Sequence, residues 1–99
     1  MRFKELKISN KTYKNSKEIE NILNKNGFDW LVDSELDDAK IEITKNTIIW
    51  NEGTYWTGNW KYGIWKNGIF YGKWLSGIFE NGEFKGEWID GIKLDWTIF

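Results

Sequence analysis

The chain has 99 residues, 14 Lys and Arg against 15 Asp and Glu, and neither Cys nor His. Without Cys there is no disulfide frame and no thiolate metal site, and without His the usual zinc sets and any histidine base are excluded. Near-zero net charge argues against a nucleic-acid footprint, and the length suits one modest domain.

In chain order, residues 2 to 8 read as a first strand. Asn15-Ser16-Lys17-Glu18 has capping-box spacing, Ile19, Ile22 and Leu23 share one helical face, and Asn26-Gly27 supplies a stop. A helix is therefore expected over 16–26. Residues 28–32 read as a short strand and 33–38 as a loop. Residues 40–44 and 47–51 read as a hairpin across Lys45-Asn46, supported by the alternation of Ile41 and Ile43.

After Glu52-Gly53 the chain becomes repetitive. Glycines at 58, 63, 68, 72, 77, 82, 86 and 91 are spaced five, five and four apart and close on a fourteen-residue unit. Each unit is aromatic-x-Gly-x-Trp-x-x-Gly, with Trp56, Phe70 and Phe84 leading and Trp60, Trp74 and Trp88 following. Tyr62-Gly63, Asn67-Gly68, Ser76-Gly77, Asn81-Gly82 and Asp90-Gly91 have the composition of two-residue hairpin turns. Those turns predict an antiparallel meander with strands over 54–61, 64–66, 69–75, 78–80, 83–89 and 92–98. Trp60 would then face Trp65, Trp65 face Phe70, Trp74 face Phe79 and Phe79 face Phe84, in two rows on one side of the sheet. Glycines between the rings would give them room to lie over the backbone.

Phe70-Tyr71-Gly72-Lys73-Trp74-Leu75-Ser76-Gly77 and Phe84-Lys85-Gly86-Glu87-Trp88-Ile89-Asp90-Gly91 resemble the MORN repeat family, and Trp56 to Gly63 follows the same pattern with Trp leading. The resemblance covers less than half the chain, in units shorter than the family's. It implies a rolling antiparallel sheet of hairpins and a scaffolding role, in some members with phospholipid contact, centred on Phe70, Gly72, Trp74, Gly77, Phe84, Gly86, Trp88 and Gly91. The lipid role lacks a basic stripe here. The expected fold is mainly β with one short helix (α+β): a twisted single sheet of repeated hairpins with the helix near the N-terminus. Residues 1–49 would form a helix-containing cap continuous with the sheet, and 50–99 the aromatic and glycine-rich meander.

Little in the chain suggests chemistry. Asp33, Glu35, Asp37 and Asp38 lack the glycine and late glutamate of a calcium loop and read as a solvated loop. Glu80 and Glu83 flank a turn and read as surface neighbours rather than a glycosidase pair. Ser9, Ser16, Ser34 and Ser76 have no histidine to activate them. The glycines punctuate turns, not a strand-to-helix phosphate loop. No catalytic residue, metal ligand or cofactor is assigned, and an enzyme is not expected.

The rings allow two readings. They can pack on one another inside a strongly curled sheet and form the core. Alternatively, a helix of about 16 Å cannot cover six strands spread over about 30 Å, which leaves an apolar face open. On the second reading Trp60, Trp65, Phe70, Trp74, Phe79, Phe84 and Trp88 form a binding face, with Tyr71, Leu75, Ile78, Ile89 and Ile92 as a weaker contact surface opposite. The function expected is a non-enzymatic protein-protein interaction or scaffold module, binding a protein partner or a second copy. Rival readings are carbohydrate or choline-type ligand binding by aromatic platforms, and a small phage-encoded inhibitor of a host defence protein. Neither nucleic acid nor membrane is an expected partner. The Lys-, Asn- and Ile-rich composition fits a low-GC bacterium or its phage, and with no export signal visible the expected location is the cytoplasm.

Overall fold

The computed structural model describes residues 2–94. Strand β1 (Phe3–Ile8) turns at Ser9-Asn10 into β2 (Lys11–Tyr13); helices α1 (Ser16–Lys25) and α2 (Asp29–Val32) follow, then the long hairpin β3 (Glu35–Thr44) and β4 (Thr47–Thr57). β1 lies parallel to β3, so α1 is the crossover between them, and it buries Ile19 and Leu23. Its start is the expected one, because the Asn15 side chain accepts the Glu18 N–H at 2.9 Å. Arg2 fastens this part together, donating to Glu20 at 2.7 Å and to the carbonyls of Val32 and Ser34.

Two expectations for this half are corrected. Residues 29–32 form a helical turn, not a strand: Phe28, Trp30 and Leu31 are all buried, whereas a strand with one wet face would alternate. The Asp33 N–H closes the turn onto the Asp29 carbonyl at 2.9 Å. The expected 33–38 loop is strand from Glu35 onward, since Leu36 is buried against β4, and the acidic run survives only as a bulge at Asp38, where φ is +53°. The hairpin across Lys45-Asn46 is present and longer than expected.

From residue 59 the chain forms two-residue strands: β5 (Asn59–Trp60), β6 (Ile64–Trp65), β7 (Ile69–Phe70), β8 (Lys73–Trp74), β9 (Ile78–Phe79), β10 (Glu83–Phe84), β11 (Glu87–Trp88) and β12 (Ile92–Lys93). None pairs with its neighbour in sequence. Trp50 pairs in parallel with Trp65 and Trp65 with Phe79; Tyr55 pairs with Phe70 and Phe70 with Phe84; Trp60 pairs with Trp74 and Trp74 with Trp88. The chain winds as a three-sided solenoid, one coil per repeat, and β4 supplies two sides of the first coil. The strands divide between a nine-stranded and a three-stranded sheet. The antiparallel meander, the single sheet and the hairpins that the MORN resemblance implies are therefore replaced by stacked parallel coils. β4 spans residue 49, and one hydrophobic core draws residues from both sides of it.

Backbone angles explain why. At the genuine hairpins both turn residues are left-handed: Ser9 and Asn10 at φ +51° and +63°, Lys45 and Asn46 at +50° and +60°. At Asn67-Gly68 and Asn81-Gly82 only the glycine has positive φ, at +118° and +114°, far from the left-handed helical well. Such a residue bends the chain without reversing it. Two such bends and a third corner at Gly72 or Gly86, where φ is not positive, restore the direction every fourteen residues, so each coil lies on the last with N–H groups reaching back, as from Glu83 to Gly68 O and from Glu87 to Gly72 O, both 2.9 Å.

Close approach constrains the same positions. A Cβ on Gly68 would stand 2.3 Å from the Gly53 carbonyl, whereas one on Gly27, at φ +83°, meets nothing within 4 Å. Gly27→Ala should cost only the backbone strain of about 1–2 kcal/mol. Gly68→Ala should add overpacking of about 1–3 kcal/mol to a backbone strain at least as large, because φ +118° lies outside the left-handed helical well. Urea unfolding of the two variants checks the difference, and Lys66→Ala, on the exposed outer surface, should match the wild type.

Candidate functional site

The seven residues expected to form an open aromatic face lie inside the solenoid. Trp60, Trp65, Phe70, Trp74 and Phe79 have no exposed surface, and Phe84 and Trp88 pack half-buried in the last described coil. The structure does bring all seven together, but as the filling of a bore. Parallel register sets like side chains above one another in three columns: Trp50, Trp65, Phe79; Tyr55, Phe70, Phe84; Trp60, Trp74, Trp88. Rings within a column stack, as for Trp50 and Trp65 (4.6 Å, 9°) and Trp60 and Trp74 (5.1 Å, 8°). Rings in different columns meet edge to face, as for Trp65 and Phe70 (85°) and Phe70 and Trp74 (84°). Each ring thus offers its faces along the axis and its edge across it, the two arrangements that a ring quadrupole favours. A closed coil covers its own inner side, so these rings present no open face along it.

The indole N–H groups of Trp30, Trp50, Trp60, Trp65 and Trp74 are buried without an acceptor. An orphan donor costs about 1–3 kcal/mol.

The first coil is closed by α2. Trp30 meets Trp60 edge to face at 5.3 Å, and the Ser34 hydroxyl donates to the Trp30 carbonyl at 2.8 Å and pairs with the Tyr55 hydroxyl. Gly58 is tight for the same reason, since a Cβ there would strike the Ser34 side chain. Burial pushes the Tyr55 hydroxyl up to about 12, against a smaller downward pull from its bond to Ser34.

What remains outside is a different set. Trp56 (44% exposed) and Tyr71 (39%) stack at 5.0 Å and 9° on the outer surface, and the Trp56 N–H donates to Asp37 at 3.0 Å. Beside them runs a shallow trough of about 440 Å³ floored by Gly58, Gly72 and Gly86, with Asn59, Lys73 and Glu87 on its far wall. The floor is bare because Gly72 and Gly86 touch the coil before and Gly58 touches Ser34: a Cβ on Gly86 would stand 2.0 Å from the Gly72 carbonyl. Of the weaker contact surface expected opposite, Ile89 and Ile92 are more than half exposed, while Leu75 and Ile78 are half-buried.

Sequence reasoning aligned Trp56 with Phe70 and Phe84 and so placed it among the leading rings. The structure puts Tyr55 there instead. Tyr55 to Phe70 and Trp50 to Trp65 are fifteen-residue steps, whereas Trp60 to Trp74 is fourteen, so one extra residue falls between Tyr55 and Trp60. That extra residue throws Trp56 outward. Two adjacent aromatics, Tyr55-Trp56, were the available signal.

Among the described residues no cluster of three acidic side chains could hold a metal ion, and no helix is long and apolar enough to cross a membrane.

Trp74→Ala should lose about 3–5 kcal/mol on urea unfolding. Trp74→Phe should lose less, because Phe70, Phe79 and Phe84 already fill equivalent places and the change removes an orphan N–H. Tyr55 gives a pH test. Its folded-state pKa lies above the unfolded value near 10, so the folded state holds the proton more tightly and stability falls as pH rises from about 10 to about 12. The loss should reach about 3 kcal/mol relative to Tyr55→Phe, which keeps every other titrating group. Chemical denaturation of both proteins across that window measures it.

Comparison of the chain with family models, with curated proteins and with solved structures finds no match.

Proposed function

We propose that this chain is a non-enzymatic, cytoplasmic interaction module that meets a protein partner through the outside of its solenoid, with Trp56 and Tyr71 as anchors. The observation that carries this reading is the exposed Trp56–Tyr71 stack beside a glycine-floored trough. Trp and Tyr are residue types in which interfaces concentrate their binding energy. These two are already ordered, Trp56 by its bond to Asp37 and Tyr71 by the stack, so docking on them costs little side-chain entropy. The trough gives a partner side chain somewhere to enter. The scaffolding role implied by the MORN resemblance, and inhibition of a host protein, are both forms of such a contact.

A carbohydrate platform is the weaker alternative. A sugar lies flat on a ring face, and here each ring has given one face to the other.

The test is capture, purification and titration of the partner against wild type and the double variant Trp56→Ala/Tyr71→Ala. Loss of affinity by tenfold or more, about 1.4 kcal/mol, is expected with the melting transition of the bore retained. Undiminished binding of the purified partner by the double variant would sink the proposal. Binding of oligosaccharide, lost in the same variant, would transfer the site to the alternative.

A further inference from the structure

We propose that the cleft between the two hairpin tips binds a small ligand through a diphosphate group, at a site separate from the Trp56–Tyr71 surface. Because β1 lies parallel to β3, the Ser9-Asn10 and Lys45-Asn46 turns stand side by side at one end of the sheet. Residues 7–12 and 42–45 line a concavity of about 590 Å³ between them, a size that suits a small molecule.

The charge around it is one-sided. Lys7, Lys11 and Lys45 line the cleft, and among the described residues none of the three makes an ion pair or a side-chain hydrogen bond. The one carboxylate in the lining, Glu42, lies opposite Lys7 but accepts the Asn51 side-chain N–H at 2.9 Å. Three positive charges against one negative leave a local excess of two, in a chain whose net charge is −1. Glu5, the next acid on β1, is set opposite Lys40. Glu35, Asp37 and Asp38 open β3 at its far end, about 20 Å of strand away and beyond the screening length of about 8 Å at physiological salt. The excess at the tips is therefore not cancelled.

The main chain adds donors. All four turn residues are left-handed, and among the described residues the N–H groups of Ser9, Asn10 and Lys45 make no main-chain bond. Phosphate oxygens take both kinds of donor, ammonium groups and unpaired turn N–H groups. The floor is apolar, with Ile43 buried and Ile8 half-buried, and a low-dielectric wall of that kind strengthens attraction in the space above it. A diphosphate, longer than one phosphate, can meet a lysine on each hairpin.

The experiment is to titrate the full chain with sodium pyrophosphate, ADP and adenosine in low-salt buffer free of phosphate and divalent metal, following backbone amide shifts by NMR. Pyrophosphate and ADP should saturate at one per chain, with shifts centred on residues 7–12 and 42–45, and both should weaken as salt is raised. ADP binding more tightly than pyrophosphate would support the proposal with a nucleotide as the source of the diphosphate; equal binding would support it with the diphosphate group alone. Lys7→Gln/Lys45→Gln should weaken both ligands by about tenfold or more at an unchanged melting temperature. Lys61→Gln/Lys66→Gln, on exposed positions of the solenoid, should leave both affinities as they were. Shifts that do not saturate, that scatter over lysines elsewhere or that persist in Lys7→Gln/Lys45→Gln would overturn the proposal, as would adenosine binding as well as ADP.

Discussion

Parallel register is the constraint on which the molecule depends. Once Trp65 pairs with Trp50 and Phe79 with Trp65, every later ring must sit above its equivalent, because the main-chain bonds between coils fix height and direction together. Stacking and hydrogen bonding then reinforce the same spacing: strands of neighbouring coils lie about 4.8 Å apart, within reach of aromatic contact. The short strands gain little from their own pairing. They are held because each belongs to a closed coil whose centre is full.

Glycine makes that closure possible in two distinct ways. At Gly68 and Gly82 it supplies an angle that L side chains rarely adopt; at Gly86, where φ is ordinary, it supplies only the absence of a side chain. Removing Cβ at the third corner lets coils approach until backbone meets backbone, and it also leaves the outer trough. The surface proposed as functional is thus a by-product of the packing that sets the rise between coils.

Much of this was legible in the sequence, and the failures have physical causes. The repeat length, the helix start at Asn15 and the Lys45-Asn46 hairpin follow from local chemistry, and local chemistry decided them. The direction of pairing was not local. An Asn-Gly pair serves a reversal or a bend equally well, and nothing within the two residues says which. A clue lay in the count, since three glycines per repeat suit three corners, while the meander used two and had to assign the third to ring packing. The site was misplaced for a related reason: aromatic periodicity marks which residues are alike, not whether they face in or out. One extra residue before Trp60 then exchanged Tyr55 and Trp56 between bore and surface.

The columns also have an optical consequence. Trp50 lies 4.6 Å from Trp65, and Trp60, Trp74 and Trp88 stack at 5.1 and 5.5 Å with nearly parallel planes. At such separations the indole transitions couple and share excitation. Circular dichroism of the folded chain should therefore carry strong aromatic exciton bands over its β signal, and excitation should migrate along each column before emission. Loss of a single coil would break that coupling before it changed the strand content noticeably, which makes the protein a reporter of its own winding.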